Sequence, residues 1–406
     1  MNPLTVETQQ FIEQHADADI RQLALKASRY PTVDMPEAIR QIAGRKTARD
    51  KLPEWFEVKE IRYPSHLAME QCSSEVTARY KARLMPTGSN KGNLIDMSGG
   101  LGVDFCYMAK RAKQATYIER QDELCELARH NFPLLGCPNA QIVSGDSIAF
   151  LRETERYDYL FIDPARRNKQ GGKTIAICDC EPDVSLLEPL LLEKASWVMV
   201  KLSPMLDWKR ALTKLAHVHE VHIVAVAGEC KELLLIMTAE ARSDEAEICP
   251  VNLPACFRGE EIEGCRFTQE EESNATCEYT NQPEVFLYEP HAAILKAGAF
   301  RTIAQRYGVK KLHPNSHLYT AETYIKEFPG RRFHIEAWGG FSKRETKELR
   351  ERLPKANLTI RNFPSTVDEL RKRLKINDGG DDYLFATTLG NGEKIWIHGK
   401  RVTNYE

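Results

Sequence analysis

The stretch Asn93-Leu94-Ile95-Asp96-Met97-Ser98-Gly99-Gly100-Leu101-Gly102-Val103-Asp104 joins a short apolar run to a glycine-rich turn. Glycines after a strand let the backbone turn sharply into a helix and approach a ligand closely. A dinucleotide-binding turn has a third glycine, where this chain has Phe105. An acid at Asp96 would repel a pyrophosphate. The stretch therefore favours a ligand that carries a cationic group at this point.

The sequence on the C-terminal side of this turn alternates apolar runs with helical stretches. The predicted further strands are Ala115–Glu119, Gln141–Ser144, Tyr157–Asp163 and Ser196–Leu202. Such alternation, with continuously apolar strands, predicts a parallel sheet covered by helices on both faces. Two more apolar runs, Val221–Ala227 and Glu232–Ala239, are joined by Gly228–Lys231, a connection so short that it permits only an antiparallel pair.

Two further acids lie where the predicted strands end. Glu119 follows the glycine turn by about 20 residues, the spacing at which a carboxylate accepts ribose hydroxyls. Asp146 follows the third strand in Ser144-Gly145-Asp146-Ser147, where it could accept a hydrogen bond from an adenine amine. Either acid alone is more often a solvated strand end or a helix cap. Their conjunction with the glycine turn favours a nucleoside site.

These ordered motifs, Asp96-x-Ser-Gly-Gly-x-Gly, then Glu119, Asp146 and Asp163-Pro164, resemble those of class I S-adenosylmethionine-dependent methyltransferases. The resemblance covers about residues 86–240 and implies an α/β fold with a Rossmann-like, seven-stranded sheet that ends in the antiparallel hairpin. It implies S-adenosyl-L-methionine as the cofactor. The residues expected to hold it are Asp96, Ser98, Gly99, Gly100, Gly102, Glu119, Asp146 and Ser147.

The segment Asp163-Pro164-Ala165-Arg166 ends the fourth predicted strand, beside the expected methyl donor. In methyltransferases that act on exocyclic amines, the comparable motif is acid-Pro-Pro-aromatic. Here Ala165 replaces the second proline and Arg166 the aromatic residue, which argues against amine methylation of a base. We expect Asp163, Pro164 and Arg166 to orient the nucleophile, with Arg166 stacking on a base or holding a phosphate. Lys201 lies at the end of the fifth predicted strand and Ser203 directly after it. Either side chain could face the substrate, and Ser203 could instead cap the following helix.

Charge is distributed unevenly along a chain whose net charge is −2. Residues 241–290 carry three basic and twelve acidic side chains, whereas residues 331–406 carry sixteen basic and eleven acidic ones. A basic C-terminal part suggests an anionic partner, although a solvated surface is equally compatible with it. The candidate contacts are Arg331, Arg332, Lys343, Arg344, Arg371, Lys372 and Arg373.

The C-terminal part also reads as an α+β module that ends in a hairpin at Gly390-Asn391-Gly392. With Gly379-Gly380-Asp381-Asp382-Tyr383, it resembles the THUMP-like domain attached to a subgroup of these enzymes. The segment from about Glu284 to residue 330 resembles the small ferredoxin-like module that accompanies it. THUMP domains of related enzymes engage structured RNA, so the resemblance implies an RNA partner.

The expected division of the chain is a helical N-terminal region (1–85), a methyltransferase domain (86–240), a linker with the ferredoxin-like module (241–330) and the THUMP-like α+β domain (331–406). The chain lacks the roughly 20 consecutive apolar residues of a membrane span, and its eleven scattered cysteines fit a reduced, cytoplasmic protein. No metal site is expected, because the cysteines lack paired spacing and His217, His219 and His222 share no face.

The favoured hypothesis is an S-adenosylmethionine-dependent methyltransferase that acts on RNA, on a tRNA or rRNA base. Two alternatives stay open. One is a methyltransferase of a small molecule or protein, and the other is a non-catalytic RNA-binding adaptor on a methyltransferase fold.

Overall fold

A computed structural model describes residues 3–86, 92–166, 176–260, 262 and 264–402. Its helices are α1 (Val6–Gln14), α2 (Ile20–Leu25), α3 (Met35–Lys51), α4 (Pro53–Glu57), α5 (His66–Gln71), α6 (Glu75–Leu84), α7 (Val103–Ala109), α8 (Asp122–Leu134), α9 (Ser147–Glu153), α10 (Val184–Lys194), α11 (Trp208–Leu212), α12 (Gln269–Asn274), α13 (Ala292–Ala297), α14 (Phe300–Tyr307), α15 (Lys343–Arg352) and α16 (Val367–Leu374). Its strands are β1 (Asn93–Asp96), β2 (Gln114–Glu119), β3 (Ala140–Ser144), β4 (Tyr157–Ile162), β5 (Ala165–Arg166), β6 (Cys180–Glu181), β7 (Ala195–Leu202), β8 (Val218–Val226), β9 (Glu229–Met237), β10 (Glu247–Leu253), β11 (Phe286–Pro290), β12 (Lys310–Lys311), β13 (Tyr319–Ala321), β14 (Gly330–Gly339), β15 (Asn357–Arg361), β16 (Asp382–Thr388) and β17 (Lys394–Arg401).

These elements form two compact units. The first comprises Met1–Val221, Lys231–Asp244 and Leu253–Glu261, and the second comprises His222–Cys230, Glu245–Asn252 and Ile262–Glu406. Among the described residues, no helix is both long and apolar enough to cross a bilayer. None of the eleven cysteines, all of which lie among the described residues, forms a disulfide.

The larger sheet has the strand order β3-β2-β1-β4-β7-β9-β8-β10. Strands β3, β2, β1, β4 and β7 are parallel neighbours, and β9 pairs antiparallel with β7. The core of β1, Leu94 and Ile95, is fully buried, as expected for a strand covered on both faces. The order reverses between β1 and β4, so the carboxyl ends of these two strands flank the crevice where open α/β sheets bind ligands.

The antiparallel hairpin predicted at the end of this domain is confirmed, with a tighter turn than expected. Strands β8 and β9 are joined by Ala227 and Gly228 alone, which have φ values of 49° and 88°. Positive φ at both central residues is the geometry of a two-residue hairpin turn. All seven expected strands are present, and β10 adds an eighth at the edge. The acidic composition around β10 concealed it, although its core Ile248-Cys249-Pro250-Val251 is buried.

The N-terminal region is helical, as the sequence predicts. The Asp34 carboxylate accepts a hydrogen bond from the backbone N–H of Glu37 at 3.2 Å, and Pro36 occupies the first turn of α3. Ala38 and Ile42, four residues apart on one face of α3, are fully buried in a small apolar cluster with Phe11 of α1. The apolar spacing of α3 therefore sets how these helices pack.

The second unit contains a sheet of order β12-β13-β11-β14-β17-β16-β15. Strands β15 and β16 are parallel, and β16 and β17 form the hairpin predicted at Gly390–Gly392. Leu349 of α15 and Leu370 of α16 are buried in one apolar cluster with Leu384 of β16. Both helices therefore cover the same end of this sheet.

The helix predicted over His291–Tyr307 is two helices. Gly298 ends α13 in the left-handed conformation, with φ 80°, and α14 begins two residues later at Phe300. A glycine at this position is a typical helix C-terminus. The apolar spacing continued across the break because Ile294, Ala297 and Ile303 are all buried.

Candidate active site

The glycine turn lies between β1 and α7, and two of its glycines are required by close contacts. A Cβ on Gly99, where φ is +21°, would lie 2.7 Å from the carbonyl oxygen of Ile118. A Cβ on Gly102, where φ is +78°, would lie 2.5 Å from the ring of Phe132. Gly100 differs, since among the described residues a Cβ there would meet nothing within 4 Å except the backbone carbonyl oxygen of Ser98, at 3.6 Å. The turn is therefore pressed against β2 and α8 and is open at Gly100.

Asp96 lies at the end of β1 and is 1% exposed. Its Oδ1 accepts hydrogen bonds from the backbone N–H of Ser98 at 2.9 Å and from the Ser98 hydroxyl at 3.1 Å. Burial raises the pKa of this carboxyl to about 7, in spite of the Ser98 hydrogen bonds. A buried carboxylate of this kind gains from a cationic ligand group placed next to it, which is the chemistry expected for the amino acid end of S-adenosylmethionine.

Glu119 at the end of β2 contacts the glycine turn directly. Its Oε2 accepts a hydrogen bond from the backbone N–H of Gly100, and its Oε1 accepts one from the backbone N–H of Gln121, both at 2.8 Å. The structure therefore brings Glu119 and the turn together, as the sequence predicts.

Asp146 caps α9, the alternative that the sequence had left open for it. Its Oδ1 accepts hydrogen bonds from the backbone N–H groups of Ile148 and Ala149, both at 2.9 Å, and its Oδ2 lies 2.6 Å from Nη2 of Arg120. The hydrogen bond from Ala149 is the main reason that the pKa of this exposed carboxyl lies below its usual value. Ser147, the next residue, is buried.

Asp146 nevertheless lies at the same edge of the sheet as Glu119. The backbone N–H of Gly145 donates to the carbonyl oxygen of Glu119 at 2.9 Å. Asp96 and Glu119 thus end the adjacent strands β1 and β2, and Asp146 lies two residues after the next strand, β3.

Asp163 lies directly after β4 and is joined to the glycine turn through Ser98. The backbone N–H of Asp163 donates to the Ser98 hydroxyl oxygen at 2.8 Å. Pro164 is buried, and the backbone of Arg166 pairs with Cys180 in the short β5–β6 ladder. The acid of this motif therefore lies next to the expected cofactor turn.

Lys201 near the end of β7 forms an ion pair with Asp163. Its Nζ lies 2.5 Å from Asp163 Oδ2, and the two side chains are 14% and 39% exposed. Burial by itself would lower the pKa of this ammonium, but the carboxylates of Asp163, Asp104 and Glu232 more than offset that effect and raise it above its usual value. Lys201 is therefore a cation at neutral pH.

The Ser203 hydroxyl accepts a hydrogen bond from the backbone N–H of Met205 at 3.3 Å, within the turn after β7.

Three buried charged residues that the sequence analysis missed lie behind Lys201. Lys81 of α6 is fully buried, and its Nζ lies 2.7 Å from both carboxylate oxygens of Glu232 in β9. The same ammonium lies 3.1 Å from Asp104 Oδ1 of α7, and Asp104 Oδ2 lies 3.9 Å from Lys201. Asp104 interrupts the otherwise apolar stretch Val103–Met108, and that signal could have revealed it, whereas Lys81 lies among other charged residues of α6 and gives no such signal.

Of the basic residues proposed to contact RNA, three are held in internal contacts. Nε of Arg331 lies 2.7 Å from Oε2 of the buried Glu289, and Nη2 of Arg371 lies 2.8 Å from Asp378 Oδ1. Arg332 donates to the carbonyl oxygen of Lys326. These three residues therefore have structural roles within the second unit.

The other four, Lys343, Arg344, Lys372 and Arg373, are exposed. Arg344 forms a loose ion pair, with Nε 3.6 Å from a carboxylate oxygen of Glu348. The guanidinium of Arg373 lies over the Phe341 ring, 5.7 Å from its centroid. Phe341 lies just ahead of α15, so the side chain of Arg373 in α16 reaches the start of α15.

The chain is similar to known proteins that are described as methyltransferases. A solved structure from Porphyromonas gingivalis W83, described as a "putative methyltransferase", is 38% identical to this chain. The match covers 97% of both chains with a TM-score of 0.87. Two Mycobacterium tuberculosis proteins, each named as an uncharacterised S-adenosylmethionine-dependent methyltransferase, are 22% identical over 329 residues, or 80% of this chain and 84% of the relative.

The chain belongs to the S-adenosylmethionine-dependent methyltransferases. S-adenosylmethionine is the cofactor of this methyltransferase. Residues 286–329 match a family model described as a ferredoxin-like domain, and residues 330–401 match one described as THUMP domain-like. Both modules that the sequence suggested for the C-terminal part of the methyltransferase are confirmed.

Proposed function

We propose that this methyltransferase acts on RNA, either transfer or ribosomal. The observation that carries the proposal is the THUMP domain-like match over residues 330–401, because THUMP domains of related enzymes engage structured RNA. The exposed Lys343, Arg344, Lys372 and Arg373 lie within that match and supply cations for phosphate contacts.

In this proposal, Asp96, the Ser98–Gly102 turn, Glu119 and Asp146 with Ser147 hold S-adenosylmethionine. The buried Asp96 carboxylate suits its ammonium group, and the turn is open at Gly100. The bound cofactor supplies an electrophilic methyl group. Asp163, with Pro164 and Arg166 after it, orients the acceptor, because an in-line displacement depends mainly on how the nucleophile is positioned.

The division into the four segments given above is part of the same proposal. A cytoplasmic location is also part of it, and eleven cysteines without a disulfide are compatible with that location.

The test measures binding of tRNA and rRNA to the purified full-length protein across a range of salt concentrations. Affinity for RNA should fall steeply with salt, because each phosphate contact releases a counterion. Replacing the four exposed basic residues with alanine should weaken binding and flatten that salt dependence. Lys394→Ala, an exposed lysine on β17, is the control and should change binding little. Weak, salt-independent RNA binding together with intact cofactor binding would point to a small-molecule or protein substrate instead.

A further inference from the structure

The side chains beside the proposed acceptor position are a carboxylate and an ammonium. Asp163 Oδ2 lies 2.5 Å from Lys201 Nζ, and both side chains are partly exposed at the ends of neighbouring strands. Asp104 Oδ2 lies 3.9 Å from Lys201 Nζ, beyond hydrogen-bond distance. An ammonium has three N–H donors. Within the described part of the chain, Lys201 therefore has donors left for a substrate group, and Asp163 has a second oxygen that can accept.

The buried residues behind this pair hold Lys201 in place. Lys81 balances Glu232 and Asp104 from inside the protein, at 2.7 and 3.1 Å. Removing Lys81 would leave these two carboxylates with Lys201 as their nearest cation and draw Lys201 away from Asp163. Lys81, Asp104 and Glu232 are thus positioning residues, and Asp163 and Lys201 are the pair that reaches the acceptor.

A donor beside an acceptor matches a hydroxyl group better than an amine. A hydroxyl oxygen has two lone pairs, so it can accept a hydrogen bond from Lys201 with one and attack with the other, while its O–H donates to Asp163. An exocyclic amine has two N–H donors and a single nitrogen lone pair. Lys201 would compete for that lone pair, and the positive charge that develops on a methylated nitrogen would be repelled by the ammonium.

The neighbouring sequence agrees with this distinction. The acid-Pro-Pro-aromatic motif of amine-methylating enzymes places a ring where a base stacks, and this chain has Ala165 and Arg166 at those positions. The features that recognise a base amine are therefore replaced, whereas the acid itself is retained and paired with a lysine.

We infer that the acceptor atom is a hydroxyl oxygen and, resting on the proposed RNA substrate, that it is a ribose 2′-hydroxyl. The 2′-hydroxyl is the hydroxyl that each nucleotide within an RNA chain carries. The oxygen forms a bond to the methyl carbon as the carbon–sulfur bond breaks, the bonding pair stays on sulfur, and the hydroxyl proton passes to Asp163 and then to water. Lys201 donates to the oxygen throughout and stabilises the negative charge that develops on it.

The experiment locates a labelled methyl group. The full-length protein is incubated with trideuteromethyl S-adenosylmethionine and with tRNA or rRNA from cells that lack this enzyme, and the RNA is then digested to nucleosides. In tandem mass spectrometry, the label should leave with the sugar fragment and not stay with the base. Alkaline hydrolysis gives a second readout, since it needs a free 2′-hydroxyl: the label should appear in alkali-resistant dinucleotides.

Three outcomes are distinguishable. Label on the sugar supports the inference. Label on a base overturns the inference and leaves the proposed RNA substrate intact. No label in either RNA, with S-adenosylhomocysteine still bound, overturns the proposed function and the inference together.

Variants test the two roles directly. Asp163→Asn and Lys201→Met should each lower the rate of labelling by about 100-fold or more, as expected for loss of a proton acceptor or of a charge-stabilising donor. Lys201→Arg keeps the charge and should be at least tenfold faster than Lys201→Met. Affinities for S-adenosylhomocysteine, by calorimetry, and for RNA, by fluorescence anisotropy, should stay within about threefold of the original protein. Lys214→Met, an exposed lysine near α11, is the matched control.

These measurements stay informative if Lys201→Met does not fold, because Asp163→Asn conserves shape and Lys201→Arg conserves charge. Full labelling rates in both Asp163→Asn and Lys201→Met would overturn the assignment.

Discussion

Replacing Asp96 by asparagine should make the cofactor-free protein more stable at alkaline pH while it weakens cofactor binding. Asp96 is buried, and its pKa is raised from 3.8 to about 7 by that burial. The folded state therefore keeps the Asp96 proton up to about pH 7, whereas the unfolded state releases it near pH 3.8. The stability that this group contributes is present below pH 3.8 and is lost as the pH rises through 7.

The magnitude follows from the difference between the two pKa values. The folded and unfolded pKa values differ by about three units, and each unit corresponds to about 1.4 kcal/mol, so the free energy of unfolding decreases by about 4 kcal/mol in total. About 2.5 kcal/mol of this decrease occurs between pH 5 and pH 8. Asparagine carries no charge, and its oxygen can still accept from Ser98. The stability of Asp96→Asn relative to the original protein should therefore increase by about 2 to 3 kcal/mol over that range.

The assay is urea unfolding at pH 5 and at pH 8, followed by circular dichroism, with S-adenosylhomocysteine affinity measured by calorimetry. The affinity of Asp96→Asn should be about 100-fold weaker, since a buried charge-assisted contact is lost. Asp50→Asn, an exposed acid on α3, is the control for both measurements. A stability difference that does not change with pH, or unchanged cofactor affinity, would refute the assigned role of Asp96.

Three further predictions concern other parts of the chain. Lys81→Met should destabilise the protein by about 3 to 5 kcal/mol, because it leaves Glu232 buried without its partner, and adding Glu232→Gln should restore part of that loss in urea unfolding. Gly102→Ala should abolish S-adenosylhomocysteine binding, because its Cβ would clash with Phe132; wild-type affinity would contradict this. Lys372→Ala with Arg373→Ala should lower the slope of log affinity against log salt by about one to two for tRNA, and an unchanged slope would exclude a phosphate contact there.

The local sequence was sufficient to predict the succession of strands along the chain and the turn at Gly99–Gly102. Both depend on short-range chemistry: continuous apolar runs form covered strands, and glycines permit positive φ. Parallel strands align their carboxyl ends at one edge of the sheet. The sequence alone therefore predicts that Asp96, Glu119 and Asp146 lie at that edge. The helix break at Gly298 and the edge strand β10 were not foreseen, because apolar periodicity continued across the former and an acidic composition concealed the latter.

Only the tertiary structure could pair Lys201 with Asp163 and place Lys81 against Glu232. The partners in the second pair are separated by 151 residues, and no local pattern relates a lysine on a helix to a glutamate on a strand. The same limit applies to Arg331 and Arg371, which look like free basic residues in the sequence and are held in ion pairs in the fold. A residue's type and spacing determine the element in which it lies. The partner that neutralises its charge is determined by which elements pack together, because the interaction between two charges depends on their distance in space.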